Sequence, residues 1–153
     1  MSSPDLVIGL DSSTQSTKAL AWTREGEPVA EGRAPIPMET PAPGWAEQDP
    51  VDWWSAAATA LTALCAQVDP ARVAGLAISN QRETVALVDE DLAPVRPAMV
   101  WLDERARDEL RPFSETFGAG ELHRITGKPV DVTPVVYRLS WLRRHEPETL
   151  DRA

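Results

Sequence analysis

The sequence is short of cysteine, of basic charge and of long apolar runs, and each shortage removes a class of protein. One cysteine, Cys65, stands among 153 residues, so no internal disulfide can form. No Cys/His cluster has the spacing of a metal site either. Lys and Arg number 15 against 24 acids, a formal net charge of −9. Nucleic acids and anionic membranes demand a basic face, so neither is expected as a partner, and the acidic balance reads as a solubilising surface. No apolar run approaches the roughly 18 residues of a membrane span. The opening Met1-Ser2-Ser3-Pro4-Asp5 lacks the basic stretch of a secretion signal, so the expected location is the cytoplasm. Internal repeats, low-complexity segments and a G-x-x-x-x-G-K-[ST] phosphate loop are missing too.

What is present is the composition of one soluble α/β domain, 42% hydrophobic and 25% charged. Residues 6–10, Leu-Val-Ile-Gly-Leu, form a short apolar run of the kind that makes a buried central strand. The run ends on Asp11, then Ser12, Ser13, Thr14, Gln15, Ser16 and Thr17, then Lys18. The chain turns apolar again at Ala19-Leu20-Ala21-Trp22, so residues 6–10 and 17–22 predict an antiparallel hairpin with a polar turn. A third strand over 29–36, after a turn at Gly26, completes a three-stranded meander. Four prolines, at 35, 37, 41 and 43, then force an extended connection that ends on Trp45, expected to anchor by packing.

Asp49-Pro50-Val51-Asp52 is a helix start, with Asp49 as cap and Pro50 in the first turn. Trp54, Ala57 and Ala58, Leu61, Leu64 and Cys65, and Val68 set its expected buried face, with Cys65 a small core residue and the helix expected to end near Val68. Residues 73–78 read as a second buried strand, followed by the polar run Ser79-Asn80-Gln81-Arg82-Glu83-Thr84. Further strands are expected over 85–88 and 98–101. An amphipathic helix follows over 102–117, broken at Pro112, with Asp103, Glu104, Arg107, Asp108 and Arg111 on a solvated face. Residues 118–134 read as loop and 135–145 as a last helix. Leu150-Asp151-Arg152-Ala153 follows without a Gly- or Pro-rich tail, which suggests a piece of a longer protein.

Two strand mouths are polar, and strand mouths are where α/β proteins bind ligands. At the first, hydroxyls, backbone N–H groups and a lysine suit phosphate oxygens, and a lone carboxylate suits Mg²⁺, which keeps several of its waters. At the second, an Arg–Glu neighbour pair offers five donors and a carboxylate to adjacent hydroxyls of a sugar or polyol. Each pattern alone also fits an ordinary solvated turn.

Taken in order, these pieces resemble the N-terminal part of the FGGY carbohydrate kinases. Ile8-Gly9-Leu10-Asp11 with Ser13-Thr14 resembles the family's first phosphate motif. Pro43-Gly44-Trp45 through Asp49-Pro50 and Trp53-Trp54 resemble its linker and first helix. Asn80-Gln81-Arg82-Glu83-Thr84 is similar to the glycerol kinase substrate loop. Arg96-Pro97-Ala98 to Trp101, Thr126-Gly127 and Arg144-His145-Glu146-Pro147 are similar to xylulokinases.

The resemblance implies an actin-like, ribonuclease-H-like ATPase fold: a mixed sheet with the antiparallel meander and helices, incomplete within 153 residues. It also implies phosphorylation of a sugar or polyol by ATP with Mg²⁺. Asp11 would hold the metal, and Ser13, Thr14, Gln15, Ser16 and Lys18 would lie along the phosphates. Gln81, Arg82, Glu83 and Trp101 would bind the acceptor. The catalytic base and the C-terminal ATP-binding domain are expected beyond Ala153, so residues 1–153 alone should be inactive.

Some positions depart from the pattern. Ser13 stands where glycine is more usual, Arg82-Glu83 where xylulokinases carry Met-His, and Thr133 where glycerol kinases carry Tyr. A pentulose such as xylulose is slightly favoured, with glycerol or a non-catalytic binding or assembly module as alternatives. Homodimerisation is left open.

Overall fold

The computed structural model describes residues 4–153. In chain order the strands are β1 (Leu6–Ser12), β2 (Ser16–Trp22), β3 (Pro28–Pro35), β4 (Glu47–Gln48), β5 (Val73–Asn80) and β6 (Ala98–Met99). The helices are α1 (Pro50–Cys65), α2 (Leu110–Phe117), α3 (Ala119–Thr126), α4 (Val135–His145) and α5 (Pro147–Asp151). The chain divides into two compact units. One runs to Met38 and resumes over Asp49–Gln81; the other comprises Glu39–Gln48 and Arg82–Ala153.

The first unit is a four-stranded sheet in the order β3-β2-β1-β5, with α1 packed on one face. The expected meander is present: β1 pairs antiparallel with β2, and β2 with β3. Alternation decides which side is buried. Leu6, Ile8 and Leu10 of β1, Ala19 and Ala21 of β2, and Ala30 and Ala34 of β3 are all buried. Most of the facing residues are alanines, which lets the helix come close.

At Gly32 the approach is closest. A Cβ there would lie 1.9 Å from the Ala60 carbonyl oxygen, so only glycine fits. The fully buried stripe is Ala56, Ala60 and Leu64, and the expected Ala57, Leu61, Cys65 and Val68 pack beside it, but Trp54 is 76% exposed and not part of that face. Asp49 caps α1 as expected, accepting from the Val51 N–H at 2.9 Å. The helix stops at Cys65 rather than near residue 68, and Cys65 packs at the core margin.

β5 lies parallel to β1 at the sheet edge, and the reading of it as buried is wrong. Apolar composition buries a strand only where something covers it. Among the described residues nothing covers this one: Leu76 and Ile78 are 46% and 67% exposed.

The second unit packs Met99, Ala106, Tyr137, Trp141 and Leu142 into its own core. Trp45 is the anchor the sequence suggested, edge-to-face on Trp141 with ring centroids 5.6 Å apart. The strands expected over 85–88 and 98–101 shrink to isolated bridges, Val85 to Met99 and Val88 to Pro94, and to the two-residue β6. The helix expected over 102–117 is a 3₁₀ turn, Arg105–Glu109, followed by α2, and the break falls at Glu109/Leu110 rather than at Pro112. Pro112 sits in the first turn of α2, where its missing N–H leaves no helical bond unmade. The segment 118–134 is not all loop, since it contains α3, entered through Gly118 at φ 78°. α4 matches its expected bounds.

On the expected solvated face Glu104, Arg107, Asp108 and Arg111 are exposed, but the reading of Asp103 is corrected. Asp103 is fully buried, accepting from the Ala46 N–H at 2.7 Å and from Arg105. Arg105 in turn stacks on the Trp45 ring, 3.6 Å from its centroid. Arg96 bridges Glu47 and Glu146, and Glu109 is buried against Ser140 and Arg144. Apart from Asp103 with Arg105, these partners come from segments far apart in sequence, so one-sided periodicity could not reveal them.

Candidate functional site

The first mouth is the β1–β2 hairpin end. Register sets Asp11 opposite Lys18 and Ser12 opposite Thr17, while on its other side β1 meets Ser79 and Asn80 of β5. The turn closes with Ser13 N–H donating to the Ser16 carbonyl at 3.0 Å, and the Gln15 carbonyl accepts from the Ile36 N–H at 2.9 Å. Ser13 has no positive φ, so the lack of the more usual glycine carries no strain. Its hydroxyl donates to Asp11 Oδ2 at 2.7 Å and orients an otherwise exposed carboxylate. Thr17 points inward and is fully buried, a structural member of the polar row.

Asp11, Ser13, Thr14, Gln15, Ser16 and Lys18 together line one open cavity of about 340 Å³. All six phosphate-site residues expected from the sequence are therefore brought together. Lys18 lies 3.3 Å from Glu31 in a half-exposed ion pair, which offsets part of its charge. A seventh residue was missed. Arg33 of β3 lines the same cavity and donates to Ser16 Oγ at 3.1 and 3.2 Å. Among the described residues it has no carboxylate partner. The signal was available in the meander itself, because antiparallel pairing sets Arg33 directly opposite Lys18.

The arrangement suits a polyphosphate with a hydrated divalent cation. It offers hydroxyl and guanidinium donors, and a single carboxylate at the strand end. Among the described residues no cluster of three potential metal ligands exists.

The other acceptor-site residues are divided. The Gln81 N–H donates to the Ser12 carbonyl at 3.1 Å, which extends the β1–β5 ladder and places Gln81 in the first unit. Arg82, Glu83 and Trp101 belong to the second unit. There Arg82 is exposed, and Trp101 is 38% exposed. Glu83 adopts φ 60°, a left-handed backbone that non-glycine residues seldom take and that concentrates at functional sites.

Several contacts hold Glu83. Its Oε2 accepts from the Val135 N–H at 3.1 Å at the start of α4, where the helix dipole favours a carboxylate. Its other oxygen pairs with Lys128. Thr84 Oγ1 accepts from the Trp101 N–H at 3.1 Å, tying this loop to the segment after β6. Next to it, Asp131 accepts from both the backbone N–H and the hydroxyl of Thr133, at 2.6 and 2.7 Å. Those bonds, the backbone one first, hold the Asp131 carboxyl below its ordinary range.

Comparison with known proteins places this geometry. Residues 6–153 match the profile described as "FGGY family of carbohydrate kinases, N-terminal domain". The chain is 35% identical to a xylulose kinase of Klebsiella pneumoniae over 141 residues, 92% of this chain and 29% of that protein. It is 34% identical to a glycerol kinase of Verminephrobacter eiseniae over 150 residues, 96% of this chain and 29% of that protein. Among solved structures, the xylulose kinase of Rhodospirillum rubrum superposes with a TM-score of 0.92 at 32% identity, covering 96% of this chain and 30% of that one. The glycerol kinase of Plasmodium falciparum, solved with ADP, gives 0.79 at 26% identity over 95% of this chain and 30% of that one. The chain thus spans about a third of the length of the relatives it matches.

Proposed function

The chain belongs to the FGGY family of carbohydrate kinases, with the actin-like ATPase fold, and on that premise we propose that the whole protein transfers the γ-phosphoryl group of ATP to a hydroxyl of a sugar or polyol. The observation that carries this reading is the β1–β2 mouth, where Asp11, a row of hydroxyls, Lys18 and Arg33 line one cavity. Phosphoryl transfer asks the protein for positioning and electrostatic stabilisation more than for covalent chemistry, and this donor set supplies both. A Mg²⁺ ion held there would neutralise phosphate charge. Asp11, oriented by Ser13, would fix that ion through water. Ser13, Thr14, Gln15 and Ser16 would meet phosphate oxygens, with Lys18 and Arg33 as the cations.

Glu83, Arg82 and Trp101, all of the second unit, would bind the acceptor hydroxyls. The base that deprotonates the attacking hydroxyl, and the adenine pocket, are proposed to lie in sequence that continues past Ala153. On that account residues 1–153 by themselves would be inactive. The protein would act in the cytoplasm.

A pentulose of the xylulose type is the favoured acceptor, since xylulose kinases are among the most similar relatives by both sequence and fold. The Arg82-Glu83 pair favours a second reading, glycerol as acceptor, and glycerol kinases are similarly close in identity. The test is ADP release by the full-length protein with ATP, Mg²⁺ and a panel of pentuloses, hexuloses, glycerol and tetritols. Saturable turnover with one member is expected. No turnover with any would leave a non-catalytic binding or assembly module as the better account.

A further inference from the structure

The most deeply buried large side chain of the second unit is a cation that no sequence pattern singled out. Arg138, on α4, is 0% exposed. Among the described residues its guanidinium forms no ion pair with a carboxylate. Nη1 donates to the Glu83 carbonyl and to the Thr133 carbonyl, each at 2.7 Å, and Nη2 donates to the Trp101 carbonyl at 2.8 Å. Its Nε, also buried, has no partner among the described residues. A buried charge is costly and is kept where its hydrogen bonds are needed.

Those three carbonyls come from three separate segments. Two of them belong to residues that the proposed function assigns to the acceptor, and the third follows Asp131. Glu83 is also the residue held at φ 60°, so its conformation needs support from its surroundings. A planar guanidinium holds its donors in fixed directions from two separate nitrogens, which a single rotating ammonium cannot reproduce across three segments.

We propose that Arg138 is a positioning residue of the acceptor site: it clamps the backbone at Glu83, Trp101 and Thr133 so that the Glu83 carboxylate and the Trp101 ring are presented in one fixed arrangement. It touches no substrate itself. The proposal rests on the acceptor reading given above, and it deepens that reading by making acceptor affinity depend on a side chain that only the backbone sees. A lysine in its place keeps the charge but loses the fork.

The experiment uses the full-length protein with Arg138→Lys and Arg138→Met, and two readouts. The first is steady-state kinetics with the acceptor the wild type prefers. Acceptor KM should rise about tenfold or more in both variants while the KM for ATP stays within about twofold, since small misplacements of binding groups are expensive. The second is hydrogen exchange at the Trp101 and Val135 amides, which are bonded to Thr84 Oγ1 and Glu83 Oε2. In Arg138→Lys these amides should exchange faster, while the amides of β1 and β2 stay protected.

Equal loss of both KM values, or a fall in kcat with acceptor KM unchanged, would make Arg138 a general brace and overturn the proposal. So would unchanged exchange at the two amides. If Arg138→Met does not fold, Arg138→Lys decides alone. A wild-type protein that binds no acceptor would instead sink the acceptor reading, whatever the exchange shows.

Discussion

Gly32 of β3 lies against Ala60 of α1 so closely that a Cβ on it would fall 1.9 Å from the Ala60 carbonyl oxygen and 2.9 Å from the Leu64 nitrogen. Both obstructing atoms are backbone, so no rotamer change relieves the overlap. Gly32→Ala must push helix and sheet apart and open the alanine-rich core of the first unit. The expected loss is about 3 kcal/mol, the upper end of ordinary overpacking. Urea unfolding should show a lower midpoint with a similar slope.

Asp11 and Arg33 share one cavity but should fail differently. In the full-length protein Asp11→Asn removes the carboxylate proposed to organise the metal, and kcat should fall by about 10² or more. Arg33→Ala removes a phosphate donor while leaving the metal position intact, so its main effect should be a higher KM for ATP. Steady-state kinetics with ATP and acceptor varied separately distinguishes the two. An Arg33→Ala enzyme with unchanged ATP kinetics would remove Arg33 from the phosphate site.

Arg82 is exposed and in the second unit, and it is assigned to the acceptor. Arg82→Ala should raise acceptor KM about tenfold, as losing a charge-assisted hydrogen bond implies, and leave the KM for ATP unchanged. A change confined to ATP would contradict the assignment.

Asp103 and Arg105 are a buried pair, at 0% and 1% side-chain exposure and 2.7 Å apart. Asp103→Ala leaves the guanidinium with Glu47 alone and frees the Ala46 N–H, so it should cost about 3 kcal/mol. Removing both members with an apolar pair should cost much less. Denaturation of the single and double variants measures the difference.

How far the sequence anticipated this structure depended on whether the deciding interaction was local. The hydroxyl row after Asp11 and the Asp49-Pro50 helix start are local signals, and both stand where expected. α4 was legible for the same reason. Where the decision was made at a distance, the reading failed. Trp54 looks like a core residue until Gly32 admits Ala60 and rotates the buried stripe away from it. Asp103 looks solvated until the Ala46 N–H arrives from a segment 57 residues away. β5 looks buried because its residues are apolar, but an edge position leaves Ile78 mostly exposed. Arg33 was the recoverable miss, since hairpin register alone brings it opposite Lys18.

Group transfer itself tests the central claim most directly. Phosphorus NMR of the full-length protein with ATP, Mg²⁺ and xylulose, and in parallel glycerol, reports the fate of the γ-phosphate. The account predicts a new phosphate-ester resonance growing in step with ADP for at least one acceptor of the sugar and polyol class, and its loss in Asp11→Asn. ATP left intact with every acceptor, or converted to ADP and inorganic phosphate alone, would contradict it.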